Sequence, residues 1–137
     1  MKFKYHKDGT KPTDIDTIFV FGSNLSAIHG AGAAREAELT FGASRKIPSG
    51  FSGHSYAIPT KDEKIKTMKL LDIEHYVNVF STTTHLFRYN FFITRIGCGL
   101  AGFDDKDIAP LFKGCNQKYC SFAEEWMPYL EQNGETK

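Results

Sequence analysis

Two short glycine-rich stretches carry most of the chemistry this chain can offer. One is His29-Gly30-Ala31-Gly32-Ala33-Ala34, and the other is Gly97-Cys98-Gly99-Leu100-Ala101-Gly102. Each follows an apolar run and leads into a helix-like stretch, where unpaired backbone N–H groups and the positive helix end favour phosphate. Glycine suits such a turn because a side chain would hold a ligand off the backbone and forbid positive φ. One such turn is a weak signal. Two at the ends of separate strands point to a diphosphate held between them, and in open α/β sheets ligands sit beyond the carboxyl ends of strands. Between the two lies Tyr56-Ala57-Ile58-Pro59-Thr60-Lys61, which sets a lysine at a strand end.

Each remaining candidate has two readings. Lys61 is either a nucleophile, which requires a pKa depressed by burial, or one solvated charge of the run Lys61, Asp62, Glu63, Lys64. Cys98 is a stabilised thiolate near a helix start or a small packing residue. His29 touches ligand or fills a turn. Phe103 stacks on a ribose or base, or packs in the core. Asn24 bonds a ribose hydroxyl, or closes the turn after Gly22 and Ser23. Asp104 or Asp105 reaches back to the site, or each is an ordinary cap of the following helix. Neither glycine loop is a P-loop, and the loose Gly97, Gly99, Gly102 pattern lacks the acidic residue a dinucleotide fold places after its second strand.

The elements that must position these groups are legible as patterns. Ile18, Phe19, Val20 and Phe21 form a continuous apolar run of the kind a doubly covered strand needs. The spacing predicts a helix over residues 30–41, capped by Gly42, then a loop over 43–54. A short strand over 56–59 ends at Pro59. A helix starts with Asp72 as N-cap and carries Ile73, Tyr76, Val77 and Phe80. Phe91, Phe92 and Ile93 make the next strand. A helix capped by Asp104 carries Ile108, Leu111 and Phe112 to Gly114, followed by a strand over 118–122 and a short helix over 124–132. Residues 1–16 read as a polar lead-in. Alternating strands and helices imply one α/β domain over residues 1–137 with a largely parallel sheet.

Composition narrows the field. With 137 residues, 41% apolar and 24% charged, the chain can build one real core. A net charge of +1 and the absence of a basic run exclude the footprint of a nonspecific nucleic-acid binder. The cysteines Cys98, Cys115 and Cys120 form neither a disulfide framework nor a zinc motif, so no metal or other cofactor is expected. No signal core and no apolar run near about 18 residues occurs, which leads us to expect a cytoplasmic protein without a membrane partner.

Thr94-Arg95-Ile96-Gly97-Cys98-Gly99-Leu100 resembles the second phosphate loop of macrodomains, most closely the branch of terminal ADP-ribose protein glycohydrolase. His29-Gly30-Ala31-Gly32-Ala33-Ala34 is similar to that family's first glycine loop, and Tyr56 to Lys61 to its strand ending in Thr-Lys. The motifs follow the family's order. The chain also resembles small phage and bacterial proteins, which adds no activity. The resemblance implies a three-layer α/β/α fold with a mixed, largely parallel sheet and an ADP-ribose cleft. Gly30, Ala31 and Gly32 would then approach one phosphate and the distal ribose. Gly97, Cys98, Gly99 and Leu100 would wrap the diphosphate, with Ala101, Gly102 and Phe103 following. In the glycohydrolase branch a lysine at the position of Lys61 attacks the ribose carbon. An aspartate just after Gly-Cys-Gly-Leu assists it, and here Ala101 occupies that place. The family's early acidic residue, which reads the adenine amino group, is unassigned among Asp8, Asp14 and Asp16. Three functions compete: an ADP-ribose binding module, a hydrolase or deacylase using Lys61 and Asp104, and a partner-binding protein with no ligand. Oligomeric state stays open.

Overall fold

Side chains of a strand alternate between faces, and the apolar run after Thr17 uses both. Ile18 and Val20 enter one core, with Phe19 and Phe21 in another. This strand, β2 (Ile18–Asn24), is central in the structure, a computed structural model that describes residues 3–131. The other strands are β1 (Lys4–His6), β3 (Gly50–Ser52), β4 (Ser55–Lys61), β5 (Phe91–Ile93) and β6 (Cys120–Ala123). They form a six-stranded sheet in the order β1-β6-β5-β2-β4-β3, parallel except for the β3–β4 pair at one edge.

Helices cover both faces. On one face α2 (Leu70–Leu86) lays Ile73, Val77 and Phe80 against Val20, Ile58 and Ile93, each helix residue contributing about 1.5–3 kcal/mol by leaving water. The short α3 (Asp105–Ile108), the 3-10 turn Ala109–Phe112, and α4 (Met127–Leu130) share that core. On the other face α1 (Gly32–Thr40) packs Ala37 with Phe19, Phe21 and Ala57. The molecule is thus mixed α/β, with a mostly parallel sheet and an arrangement compatible with three layers.

Several boundaries differ from expectation, each for a physical reason. The lead-in contains β1, held because Phe3 is buried edge-on against Phe122 and Glu131 accepts the Phe3 N–H and the Tyr5 hydroxyl. The loop over 43–54 contains β3, formed through a tight Gly53-His54 turn with Gly53 at φ +59°. A methyl group on Gly53 would lie 2.8 Å from the Gly42 carbonyl oxygen, so this turn admits glycine alone. Strand β4 runs through Pro59 to Lys61, because β3 ends opposite Ala57 and no neighbour there needs the missing N–H. The first helix begins at Gly32 rather than residue 30. Helix α2 begins at Leu70 with Lys69 at its cap, since Met68 and Leu70 also pack on the core; Asp72 sits in its first turn. The helix expected beyond Asp104 is interrupted, as Pro110 lacks the N–H and forces a 3-10 turn. The strand expected over 118–122 is β6, and the last helix is split into a 3-10 turn, Glu124–Trp126, and α4. Its expected end at Gln132 lies outside the described residues.

The connections place the site. The chain leaves β2 for α1 on one face and leaves the adjacent β5 for α3 on the other. Neighbouring strands whose connections part in this way open a crevice at their carboxyl ends.

Candidate functional site

A cavity of about 680 Å³ occupies that crevice, within the range of small-molecule sites. It takes residues from the carboxyl ends of four parallel strands: β1 through Asp8, β2 through Asn24, β4 through Lys61 and β5 through Arg95. The two glycine loops, remote in sequence, both border it.

From the first loop Gly30, Ala31, Gly32, Ala33 and Ala34 line the cavity. They open α1, whose N-cap Ala31 supplies no side-chain hydrogen bond, so the first-turn N–H groups are uncapped. From the second loop Gly97, Cys98, Gly99, Leu100 and Ala101 line it. The loop is pinned at both ends, by the Cys98 N–H on the Arg95 carbonyl and the Phe103 N–H on the Gly97 carbonyl. Among the described residues no acceptor takes the N–H of Gly99, Leu100 or Ala101. Helix α3 is too short to lend a strong dipole, so this loop acts through its amides.

The glycines divide by what a methyl group would meet. Gly97 has φ +80° and packs on Ile108, whose Cδ1 would lie 3.1 Å from an added Cβ, so it serves the turn. Gly30 and Gly99 need neither a left-handed φ nor space from a neighbour, and among the described glycines they alone share that freedom. Each sits on the cavity wall, one in each loop.

The other expected residues separate. Lys61 ends β4 on the cavity wall and has no ion-pair partner among the described residues. Asn24 lines the cavity while its amide closes its own loop, donating to the Ile28 carbonyl at 2.8 Å and accepting the Ile28 N–H at 3.0 Å. His29 is buried away from the cavity, edge-on to Phe21, with Nε2 3.1 Å from the Ser44 carbonyl; a carbonyl only accepts, so Nε2 carries the hydrogen. Gly102 lies outside the lining, its N–H closing the turn on the Gly99 carbonyl. Phe103 packs against the core beside Gly97 and Ile108 and is likewise outside the lining. Asp104 is exposed, stands at the cap position of α3 without a side-chain cap bond, and lies outside the lining.

Compared with protein families, with curated proteins and with solved structures, the chain finds no match.

The electrostatics centre on Arg95. Its Nε and Nη2 reach the two oxygens of Asp105 at 3.1 and 2.6 Å, and its Nη1 reaches Asp8 at 3.2 Å. The bond to Asp105, with that to Asp8, holds the guanidinium pKa above its usual value. Burial pushes Asp105 up, but bonds from Arg95, Trp126 and Cys98 outweigh it and hold its carboxyl below the usual range. Burial, and then Asp105, push the Cys98 thiol up to about 12, which removes it as a nucleophile at neutral pH. Burial pushes His6 down to about 4 against the charge of Asp8, so its ring is neutral where it stacks on Phe92 at 3.7 Å. His6, Phe19 and Phe92 give the β1 side of the cavity an aromatic wall.

From the sequence Asp8 is one of three unassigned early carboxylates and Arg95 only part of the second-loop motif, while Lys11 and the aromatic wall have no place in the site. Asp8-Gly9 after alternating Phe3 and Tyr5 is a strand-to-turn signal for the first, and Arg95 directly precedes the second loop. Nothing local marks their pairing. Among the described residues no group of His, Cys, Asp or Glu is placed to hold a metal ion, and no helix is long and apolar enough to cross a membrane.

Proposed function

We propose that this chain is a macrodomain-like module that binds ADP-ribose, or a related NAD-derived nucleotide diphosphate, along the carboxyl edge of its sheet. The observation that carries this reading is the convergence of Gly30 and Gly99 on one cavity, each open to a close ligand and neither required by the turn it occupies. The diphosphate lies between the loops, taking the uncapped first-turn amides of α1 and the unpaired amides of Gly99, Leu100 and Ala101. The base lies toward β1 against Phe92, and the distal ribose toward β4 and Lys61. Of the three early carboxylates, Asp8 supports base recognition, because it borders the cavity while Asp14 and Asp16 do not. Calorimetric titration with ADP-ribose, ADP and ribose 5-phosphate tests this. ADP-ribose binding with one site and the highest affinity is expected, and absence of heat with all three contradicts it.

A second reading, hydrolysis or deacylation at the distal ribose, draws support from Lys61 on the same wall. Ala101 weighs against it, since no carboxylate stands at that point of the loop to move the proton. Turnover of an ADP-ribosylated protein or of acetyl-ADP-ribose, lost in Lys61→Ala, would favour this reading over binding alone.

A further inference from the structure

The longest helix shows solvent a face that its place on the sheet does not explain. Helix α2 buries Ile73, Val77, Phe80 and Thr84. On its opposite side Leu71 is 73% exposed, Val79 50% and Leu86 71%. These three follow one another at eight and seven residues, so at about 100° per residue they fall within about 80° of the helix circumference. The solvent face of a surface helix is normally charged or polar. Here no Asp, Glu, Lys or Arg occurs from His75 to Leu86.

The hydroxyls of this stretch are already used. Thr82 Oγ1 donates to the Asn78 carbonyl at 3.2 Å, and Thr83 Oγ1 donates to the Val79 carbonyl at 2.9 Å. Each threonine bonds along its own helix, so covering it strands no donor. The apolar surface continues past the helix end, where the exposed rings of Phe87 and Tyr89 stack with centroids 5.9 Å apart.

The face has the same order from either end. About a midpoint between Asn78 and Val79, Leu71 mirrors Leu86 and His75 mirrors Thr82. Two such helices packed antiparallel about a two-fold axis set Leu71 of each copy on Leu86 of the other, with both Val79 side chains beside the axis. The charges agree with this pairing. The acidic start of each helix, with Asp72 and Glu74, lies along the other's carboxyl end, with His85 and Arg88. Lys69, at the cap, stands about 160° round the helix from Leu71 and so off this face.

From this arrangement we infer that the outer face of α2 is a dimer interface, and that the partner it takes is a second copy of this chain in antiparallel register. A membrane surface fits it less well, because a helix lying on one carries Lys or Arg along its polar side and α2 has neither. No residue of α2 lines the cavity, so both cavities stay open in the pair, and the inference is independent of what they bind.

Sedimentation equilibrium on the full chain tests this. The wild type should show a monomer–dimer equilibrium, with dimer prevailing at about 100 μM. Val79→Glu sets like charges beside the axis and should weaken association at least about tenfold. Leu71→Glu and Leu86→Lys should each weaken it as well. Combined in one chain, they place opposite charges on facing positions and should restore association well above either single variant. All three positions are exposed, and both charges at the helix ends suit the helix dipole, so thermal melts should stay near wild type. If Val79→Glu melts early, the Leu71→Glu and Leu86→Lys set decides alone. A wild type that is monomeric at about 100 μM overturns the inference. So does a dimer indifferent to Val79→Glu, which would put the interface elsewhere, and so does a double variant no tighter than the singles, which would contradict the antiparallel register.

Discussion

Gly30 and Gly99 belong to different crossover connections of the sheet, yet both border one cavity, and a methyl group on either would meet no protein atom within 4 Å. Neither glycine is needed by its own backbone. Residues this costly in conformational entropy, about 0.5–1 kcal/mol relative to alanine where alanine fits, are explained when a ligand comes close to the chain.

Replacing either glycine should therefore separate folding from binding. Gly30→Ala and Gly99→Ala should leave thermal stability unchanged or raise it by up to about 1 kcal/mol, while ADP-ribose affinity falls. Gly99→Glu should abolish binding, because it brings a carboxylate to the phosphates. Gly53→Ala is the control: Gly53 has φ +59°, packs on Gly42 and lies outside the cavity lining, so the change should lower stability by more than about 1 kcal/mol and spare the affinity of what remains folded. Thermal melts and calorimetry on the four variants check this, and a Gly99→Glu protein that still binds contradicts it.

The turnover question turns on Lys61 and Ala101, which line the same cavity. If the missing carboxylate is what limits chemistry, Ala101→Asp should raise hydrolysis of an ADP-ribosyl ester by about 10²–10⁴-fold, the usual contribution of a positioned acid or base. Lys61→Ala in that background should return it to baseline. A gain that survives loss of Lys61 would show that the lysine is solvated and not catalytic.

Acid should weaken the fold through His6. Burial holds its pKa at about 4 in the native state, below the unfolded value of 6.5. Between those values the unfolded chain binds more protons than the native one, so stability is complete above about pH 6.5 and falls as pH drops toward 4. His6→Phe should flatten that part of the profile and leave the loss below it, where carboxylates such as Asp105 are protonated, unchanged. Urea melts across pH 4–7 on both proteins measure the difference, and parallel curves would contradict the assignment.

The order of the central elements and both glycine loops were legible in the sequence because each rests on a local signal. Apolar runs after Thr17 and Asn90 give β2 and β5, and each is followed by glycines. The edge strands were not legible for opposite reasons. Strand β1 offers three residues with only Tyr5 apolar, and depends on pairing with β6 at the far end of the chain. Strand β3 hides among Gly, Pro and Ser, although Gly53-His54 between Phe51-Ser52 and Ser55-Tyr56 is a hairpin signal.

Within the site, the backbone positions could be read from the chain but the side-chain directions could not. His29 and Phe103 flank the two loops in sequence, and both turn inward to pack. Asp8 and Arg95 stand 87 residues apart in the chain and meet only because β1 lies beside β6 and β6 beside β5. Contacts of that range carry no signature in composition or spacing.

The central claim is most directly tested by titrating ADP-ribose into the isotopically labelled protein and following each backbone amide by nuclear magnetic resonance. The account predicts that the amides of residues 30–34 and 97–101 shift together, with one midpoint, while those around Gly53 stay still. Shifts confined to one loop, or none at either, would contradict it.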